Sequence, residues 1–424
     1  MKQSNLFLLG VLLSTMKISA TPQFAREYGV ACSTCHTMIP TLNETGKNFL
    51  RDGFRFSQEE TPTLKKLIDP KDGEKRPIPL AVMLNANYDS QSEDIQEKVK
   101  LYTGGTITNN LSFFGLTKAN FNGNNDDKSD FFTQSSSRAY FQLNLKGNEH
   151  VFRTGLISPL TQFGNIEKAT ADSGLKGHNA QDNDQAGNNQ NYNYNKYGYE
   201  DSGNGGTGGY AQDNDNGHQG GSNYKTPVQN ASIGNVKGVE YSYLYNDKLM
   251  FLVSYGKSID EGNGGDNGNE NSQNENSVNT LNSGSSDDDY SFVSGVNYKT
   301  DSGYNIGFIY NKYEKNGIDN ESALIPIQKQ FDKFGVVSTL VYKDETALED
   351  SYYGIENSVT YSINEESYLR GIVNLDKQDD DNNYGLSLTY SQMYKYFLFH
   401  ITGARKVTEE DNENLFLGSV SFLF

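Results

Sequence analysis

The sequence predicts a mainly β chain: a porin-like, 16-stranded antiparallel transmembrane β-barrel preceded by a small α-helical segment. Three observations predict it. Beyond residue 20 no apolar run reaches the ~18 residues a membrane-crossing helix needs. From residue 78 onward, segments of roughly ten residues alternate apolar and polar side chains, the signature of a barrel with lipid outside and water inside. The composition agrees: only 35% of residues are hydrophobic and the net charge is -18, yet 28 Tyr and 23 Phe are present and Trp is absent. That is too little apolar chain for a soluble core of this length, while Tyr and Phe can supply the aromatic girdles at the membrane interfaces.

The alternation is legible strand by strand. In 303–311, Tyr304, Ile306, Phe308 and Tyr310 share one face, with Asn305 and Gly307 on the other. In 383–391, Tyr384, Leu386, Leu388 and Tyr390 alternate with Gly385, Ser387 and Thr389. Val239, Tyr241, Tyr243 and Tyr245 alternate with Glu240, Ser242 and Leu244. The last strand puts Phe416, Val420, Phe422 and Phe424 on one side, an ending that resembles bacterial outer-membrane barrels. Short turns at Asn109-Asn110, Gly147-Asn148, Asn246-Asp247 and Asp301-Ser302 belong on the periplasmic side, and the long polar stretches 161–232 and 258–288 on the outside. Fifteen strands are evident from 78–88 to 415–424. Both ends in the periplasm demand an even number, and 322–328 is the sixteenth despite Pro326. A secreted β-sandwich or β-helix also alternates, but lacks this recurrence at hairpin spacing.

Residues 1–20 read as a secretory signal peptide: Lys2, an apolar stretch from Leu6 to Leu13, and Ile18-Ser19-Ala20 before Thr21-Pro22. Between it and the barrel, residues 21–77 form a separate segment. It contains Cys32-Ser33-Thr34-Cys35-His36 and with it both cysteines of the chain. This is the attachment signature of one c-type haem: Cys32 and Cys35 for the thioether bonds, His36 for the axial position on the iron. A redox C-x-x-C pair would share the letters, but no thioredoxin-like βαβ pattern surrounds it. The segment predicts a helix near 24–28 and another over 41–52, begun by Pro40. Leu42, Phe49, Leu50 and Phe54 are candidates to cover a haem face, and Arg26, Arg51 and Arg55 to neutralise its propionates. A segment this small needs the covalent haem and a docking surface for stability, and the barrel mouth or lumen is the available dock.

The run Phe24-Ala25-Arg26-Glu27-Tyr28-Gly29-Val30-Ala31-Cys32-Ser33-Thr34-Cys35-His36, followed by Pro40, Leu42-Asn43, Gly46, Phe49, Gly53 and Phe56, resembles the haem segment of the fused monohaem cytochrome–porins of iron-oxidising bacteria. The resemblance implies an outer-membrane protein that takes electrons from extracellular Fe(II) and passes them to a periplasmic electron-carrier cytochrome. It covers about 35 residues closely, and the barrel by architecture only.

The second axial ligand is open. Alternation turns Met83 and His400 toward the lumen, and Met83 is the leading candidate; His150 and Met393 lie at periplasmic turns, and Met38 is too close to His36 to cross the macrocycle. His178 and His218 fall in the outer loop. Acidic runs at Asp287-Asp288-Asp289, Asp379-Asp380-Asp381 and Asp213-Asn214-Asp215 read as solubilising loop charge that would also concentrate cations. The last of these lacks the glutamate of a calcium loop, Tyr224 standing in its place. No nucleophile triad, paired-carboxylate or phosphate-loop constellation is found, and nothing points to nucleic acid. Three other readings remain: a solute porin with the haem segment as plug or redox gate, an adhesin-like barrel, and outward electron flow to external minerals.

Overall fold

The computed structural model describes residues 23–39, 41–57, 59–71, 76–90, 94–121, 132–164, 226–231, 235–259, 290–315, 318–345, 350–378, 381–394, 397–408 and 412–423. The N-terminal segment runs through helix α1 (Gln23–Tyr28), a 3-10 turn (Cys32–Thr34), the short hairpin β1 (His36–Met38) and β2 (Thr41–Leu42), helix α2 (Glu44–Arg51) and helix α3 (Thr63–Ile68). The barrel then begins with β3 (Leu80–Asp89), β4 (Asp94–Thr106), β5 (Leu111–Phe121), β6 (Phe132–Leu145), β7 (His150–Ile157) and β8 (Asn235–Tyr245). It continues through β9 (Leu249–Ile259), β10 (Ser291–Lys299), β11 (Tyr304–Lys315), β12 (Ile318–Phe331) and β13 (Phe334–Glu345). β14 (Asp350–Ser362), β15 (Ser367–Gln378), β16 (Asp381–Tyr394), β17 (Phe397–Val407) and β18 (Asn412–Leu423) complete it.

These sixteen strands form one closed barrel in which each pairs with its sequence neighbour. β18 returns to β3, with Val420 opposite Ala86, so no edge is left to template aggregation. The tight turns follow local chemistry: Asn246 and Asp247 take φ of 50° and 55°, a left-handed pair that suits the twist of a two-residue hairpin. The sixteenth strand lies where an even count requires it, and is longer than 322–328. Pro326 is accommodated within it. The β11–β12 ladder passes from Ile306↔Ile327 to Ile309↔Leu324, while Pro326 stays in register with Thr339 on β13. Gly307 makes room there, since a Cβ at that position would come within 2.8 Å of the Pro326 ring.

The outer face is apolar. On β16, Tyr384, Leu386 and Leu388 are about half exposed while Ser387 and Thr389 are buried. β17 repeats the pattern with Phe399 and Ile401 outside, His400 and Thr402 inside. Among the described residues no helix is long and apolar enough to cross a membrane.

The inner face departs from the expected polar wall. Met250, Leu252, Val293, Ile309, Leu324 and Val341 all point inward and form an apolar cluster. The chain after β7 explains it. Instead of leaving for the exterior at residue 161, it turns into the lumen as a 3-10 turn (Pro159–Phe163) and returns as helix α4 (Pro227–Ala231). Leu160, Phe163, Val228 and Ala231 bury themselves on that cluster. Asn311 and Ser322 donate to the Ala231 carbonyl at 3.2 and 2.8 Å, fixing α4 against β11 and β12. Met250, Leu252 and Val293 thus add apolar inward positions to strands whose outward Phe251 and Val253 are also apolar, because Leu160, Phe163, Val228 and Ala231 cover them from inside.

The N-terminal segment occupies the barrel at the end that carries the short turns. Its partners ring the wall: Thr63 with Thr106 on β4, the Leu50 and Arg51 carbonyls with Gln142 on β6, Glu44 with Lys299 on β10, and Thr41 with Arg370 on β15. The expected helix over 41–52 is shorter, because Thr41-Leu42 pairs with β1 and Asn43, not Pro40, starts the helix. Helix α3 was not anticipated from the sequence: Leu64 and Ile68 face outward, so only Thr63 at its start is buried.

Candidate functional site

The Cys32–His36 turn is organised by a single side chain. Asn43 caps α2 by accepting from the Gly46 N–H at 2.9 Å, and its amide donates to the Ser33 and Thr34 carbonyls at 3.1 Å each. Its backbone N–H donates to the Cys35 carbonyl at 3.0 Å. Helix α2 therefore lies directly on the cysteine turn, and Gly46 permits it: a Cβ there would sit 2.1 Å from the Cys35 oxygen. Burial pushes both thiols above their ordinary value, most strongly buried being Cys32, where Cys35 adds to the effect. As free thiols they would be poor nucleophiles.

Cys32 and His36 face a narrow cleft between the segment and the wall, closed by Ile39, Tyr368, Met393, Leu398 and His400. Its free volume is only about 10 Å³, far below the roughly 300–1,000 Å³ of small-molecule sites. A haem c matches the donor set: thiols and an imidazole on one turn, further donors opposite, and apolar side chains between. Its bulk exceeds the free space, so seating it requires the segment to draw back from the wall.

The wall side of the cleft has defined chemistry. His400 is 6% exposed, and its Nδ1 shares a 2.6 Å hydrogen bond with the Ser391 hydroxyl across the β16–β17 ladder. Tyr368 donates to the Glu365 carbonyl at 2.9 Å. Met393 packs with Met83, Leu398, Leu423 and Ile39. Met83 is buried and inward-facing as alternation indicates, but stands behind the cleft, its sulfur 3.8 Å from the Tyr102 hydroxyl. His150 is engaged elsewhere, bonded to Tyr241 at 2.8 Å and stacked on Tyr243. The side chain of Met38, and all of His178, His218, Asp213–Asp215, Tyr224, Asp287–Asp289 and Phe424, lie outside the described side chains, as do residues 1–20.

The aromatic residues of the segment do different work from that expected. Phe49, Leu50 and Phe54 do not line the cleft; they pack with Phe24, Tyr28 and Leu42 against Phe114, Tyr140 and Ile157 of the wall. Phe54, at φ 67°, stacks on Phe24 at 5.0 Å and Phe114 at 5.7 Å. The reason is the direction of α2, whose apolar stripe faces β5–β7, not the cysteine turn. The arginines are likewise committed. Arg26 donates to the Ile78 and Leu80 carbonyls and Arg55 to the Asp52 carbonyl, while Arg51 pairs with Asp52 at 3.9 Å.

Beneath this contact a buried polar chain joins segment, wall and loop. The Gln142 amide donates to the Leu50 and Arg51 carbonyls, its oxygen accepts from Arg153 at 2.9 Å, and Arg153 meets Glu240 at 3.3 Å. Nearby, Glu44, Lys47, Arg51, Lys248 and Lys299 border an open vestibule. Glu44 is buried enough to resist ionisation, but Lys47 and Lys299 outweigh that and hold its carboxyl down at about 2. The partly buried Glu27 shifts the other way: burial raises it against the pull of Thr63 and Lys66.

No protein-family model and no curated protein matches the sequence. Solved structures similar to this chain include Salmonella typhi OmpF in complex with daunomycin, at 10% identity and TM-score 0.48, covering 81% of this chain and 97% of that one. The anion-selective porin from Comamonas acidovorans follows at 10% and 0.47, covering 81% and 98%. A loop-deletion mutant of OmpT, an outer membrane protein of Vibrio cholerae, stands at 10% and 0.46 with the same coverage. The likeness is one of barrel architecture.

Proposed function

We propose that this chain is an outer-membrane barrel whose periplasmic mouth is filled by a segment carrying one covalently attached haem c. It moves electrons from an external reductant, Fe(II) in the first place, to a periplasmic carrier cytochrome. The observation that carries the reading is the Cys32-Ser33-Thr34-Cys35-His36 turn, which holds both cysteines of the chain and opens on a cleft at the barrel wall. A haem bound there supplies one-electron chemistry through its iron. The protein's own contribution is placement. Cys32 and Cys35 tether, His36 ligates, Asn43 holds the turn on α2, and the ring of contacts from Thr63 to Arg370 seats the segment in the lumen. No acid, base or nucleophile is needed.

The test is a stopped-flow visible spectrum of purified, haem-loaded protein in detergent, mixed oxidised and anaerobically with Fe²⁺ at neutral pH. Growth of the reduced c-type α band is expected, with no covalent haem in the Cys32→Ser/Cys35→Ser double variant. A haem that dithionite reduces but Fe²⁺ does not would end the iron reading and leave another donor or outward flow.

A second reading, a solute channel with the segment as plug or redox gate, is favoured by the charged vestibule at Glu44, Lys47 and Lys299. Planar-bilayer conductance separates the two: the electron-transfer reading expects little current from the wild type, and the channel reading expects steady solute-sized conductance.

A further inference from the structure

The cleft that Cys32 and His36 share with the barrel wall places one nitrogen ligand opposite them, and its surroundings are those of a metal-binding imidazole. We propose that His400, on β17, is the second axial ligand of the haem, so that the haem bridges the N-terminal segment and the barrel. This rests on the haem reading above and deepens it.

Three candidate donors lie near the cleft, and the structure ranks them. Met83 does not line it; its sulfur is turned toward Tyr102 and embedded in the Leu398 and Leu423 cluster. Met393 lines it, but belongs to that same apolar cluster near the end of its strand. His400 lines it as well, is buried, and has its Nδ1 engaged by Ser391 at 2.6 Å. A ligating imidazole donates its other ring N–H, which orients the ring and raises the ligand nitrogen's basicity; here that is Nδ1–H donating to the Ser391 hydroxyl oxygen, with Nε2 as the ligand. Ser391 is then a positioning residue. With His36 on the segment and His400 on the wall, the two ligands come from parts of the molecule that only the folded barrel brings together. The segment would be tied by Cys32 and Cys35 to the macrocycle, and by coordination to β17. Two imidazoles also set a lower potential than an imidazole with a methionine.

The experiment uses full-length protein from a host that matures c-type cytochromes, with barrel folding checked by heat-modifiable gel mobility. Covalent haem is read from the denatured pyridine spectrum, and ligation from ferric visible and low-temperature EPR spectra of wild type, His400→Ala, His400→Met and Met393→Ala. Wild type and Met393→Ala are expected to show one low-spin, two-nitrogen signature. His400→Ala is expected to turn high-spin and recover the low-spin signature with added imidazole. His400→Met is expected to gain the iron–sulfur charge-transfer band and a raised potential, which keeps the test open should the alanine variant not assemble. A wild-type spectrum unchanged in His400→Ala, or lost in Met393→Ala instead, overturns the inference while the haem reading stands. Absence of covalent haem from folded wild type overturns both.

Discussion

Asn43→Ala probes whether the cysteine turn and α2 behave as one unit. The substitution removes the cap on Gly46, about 1 kcal/mol, and two half-buried donations to the Ser33 and Thr34 carbonyls, about 1 kcal/mol each. The local cost is therefore about 3 kcal/mol, against a barrel wall that makes none of these bonds. Asn43→Ser keeps a capping oxygen and loses both donations, about 2 kcal/mol. Opening of the segment is a sub-global event, and its population governs cleavage by a protease that sees only the open form. Trypsin has sites at Lys47, Arg51 and Arg55. At 1.4 kcal/mol per decade, cleavage in the folded barrel accelerates roughly 150-fold for Asn43→Ala and roughly 30-fold for Asn43→Ser. On the proposed haem attachment, covalent haem yield falls in the same order. Wild-type cleavage rates in both variants would refute the idea that Asn43 couples the turn to the helix, and equal rates in the two would refute the separate worth of the cap.

Arg153→Met removes the partner of Glu240 from a pair whose two side chains are each 1% exposed; thermal unfolding in detergent should register a loss of about 3–5 kcal/mol, mostly restored in Arg153→Met/Glu240→Gln. Glu44 gives a pH dependence. Its carboxyl is depressed from 4.5 to about 2, so the stabilisation is fully present above the ordinary carboxylate range and lost as pH falls through the folded value. Pepsin cleavage of the segment should rise between those limits in wild type and stay flat in Glu44→Gln, by about 1 kcal/mol or less because the pair is partly solvated. Gly46→Ala must lift α2 from the Cys35 carbonyl and, on the proposed haem attachment, should lower haem yield. Gly371→Ala, with nothing within 4 Å of its Cβ, should leave that yield unchanged.

Much of the barrel was legible because the signal is local. A period of two along Tyr384–Tyr390 states which side chains face outward, and even strand number follows from where the turns fall, which is how a strand at 322–328 is found in spite of Pro326, within the observed Ile318–Phe331. The cysteine turn is equally local, five consecutive residues whose spacing is itself the chemistry. The inward faces were harder. Met250, Leu252 and Val293 look misplaced in a polar lumen until the chain after β7 is seen folding back to cover them, and that return carries no periodic pattern of its own. Helix α3 was missed because its apolar residues are exposed and only Thr63 is docked.

The amino-acid sequence by itself thus determined a barrel of even strand number and the Cys32–His36 turn on which the proposed haem attachment rests, since both are written in neighbouring residues. Only the tertiary structure decided that the N-terminal segment sits inside the barrel, that its aromatic residues face β5–β7 and not the cysteine turn, and that His400, not Met83, shares a cleft with Cys32 and His36. Those juxtapositions join residues far apart in the chain. They depend on ring closure and on the angle at which α2 meets the wall, which no short-range pattern encodes.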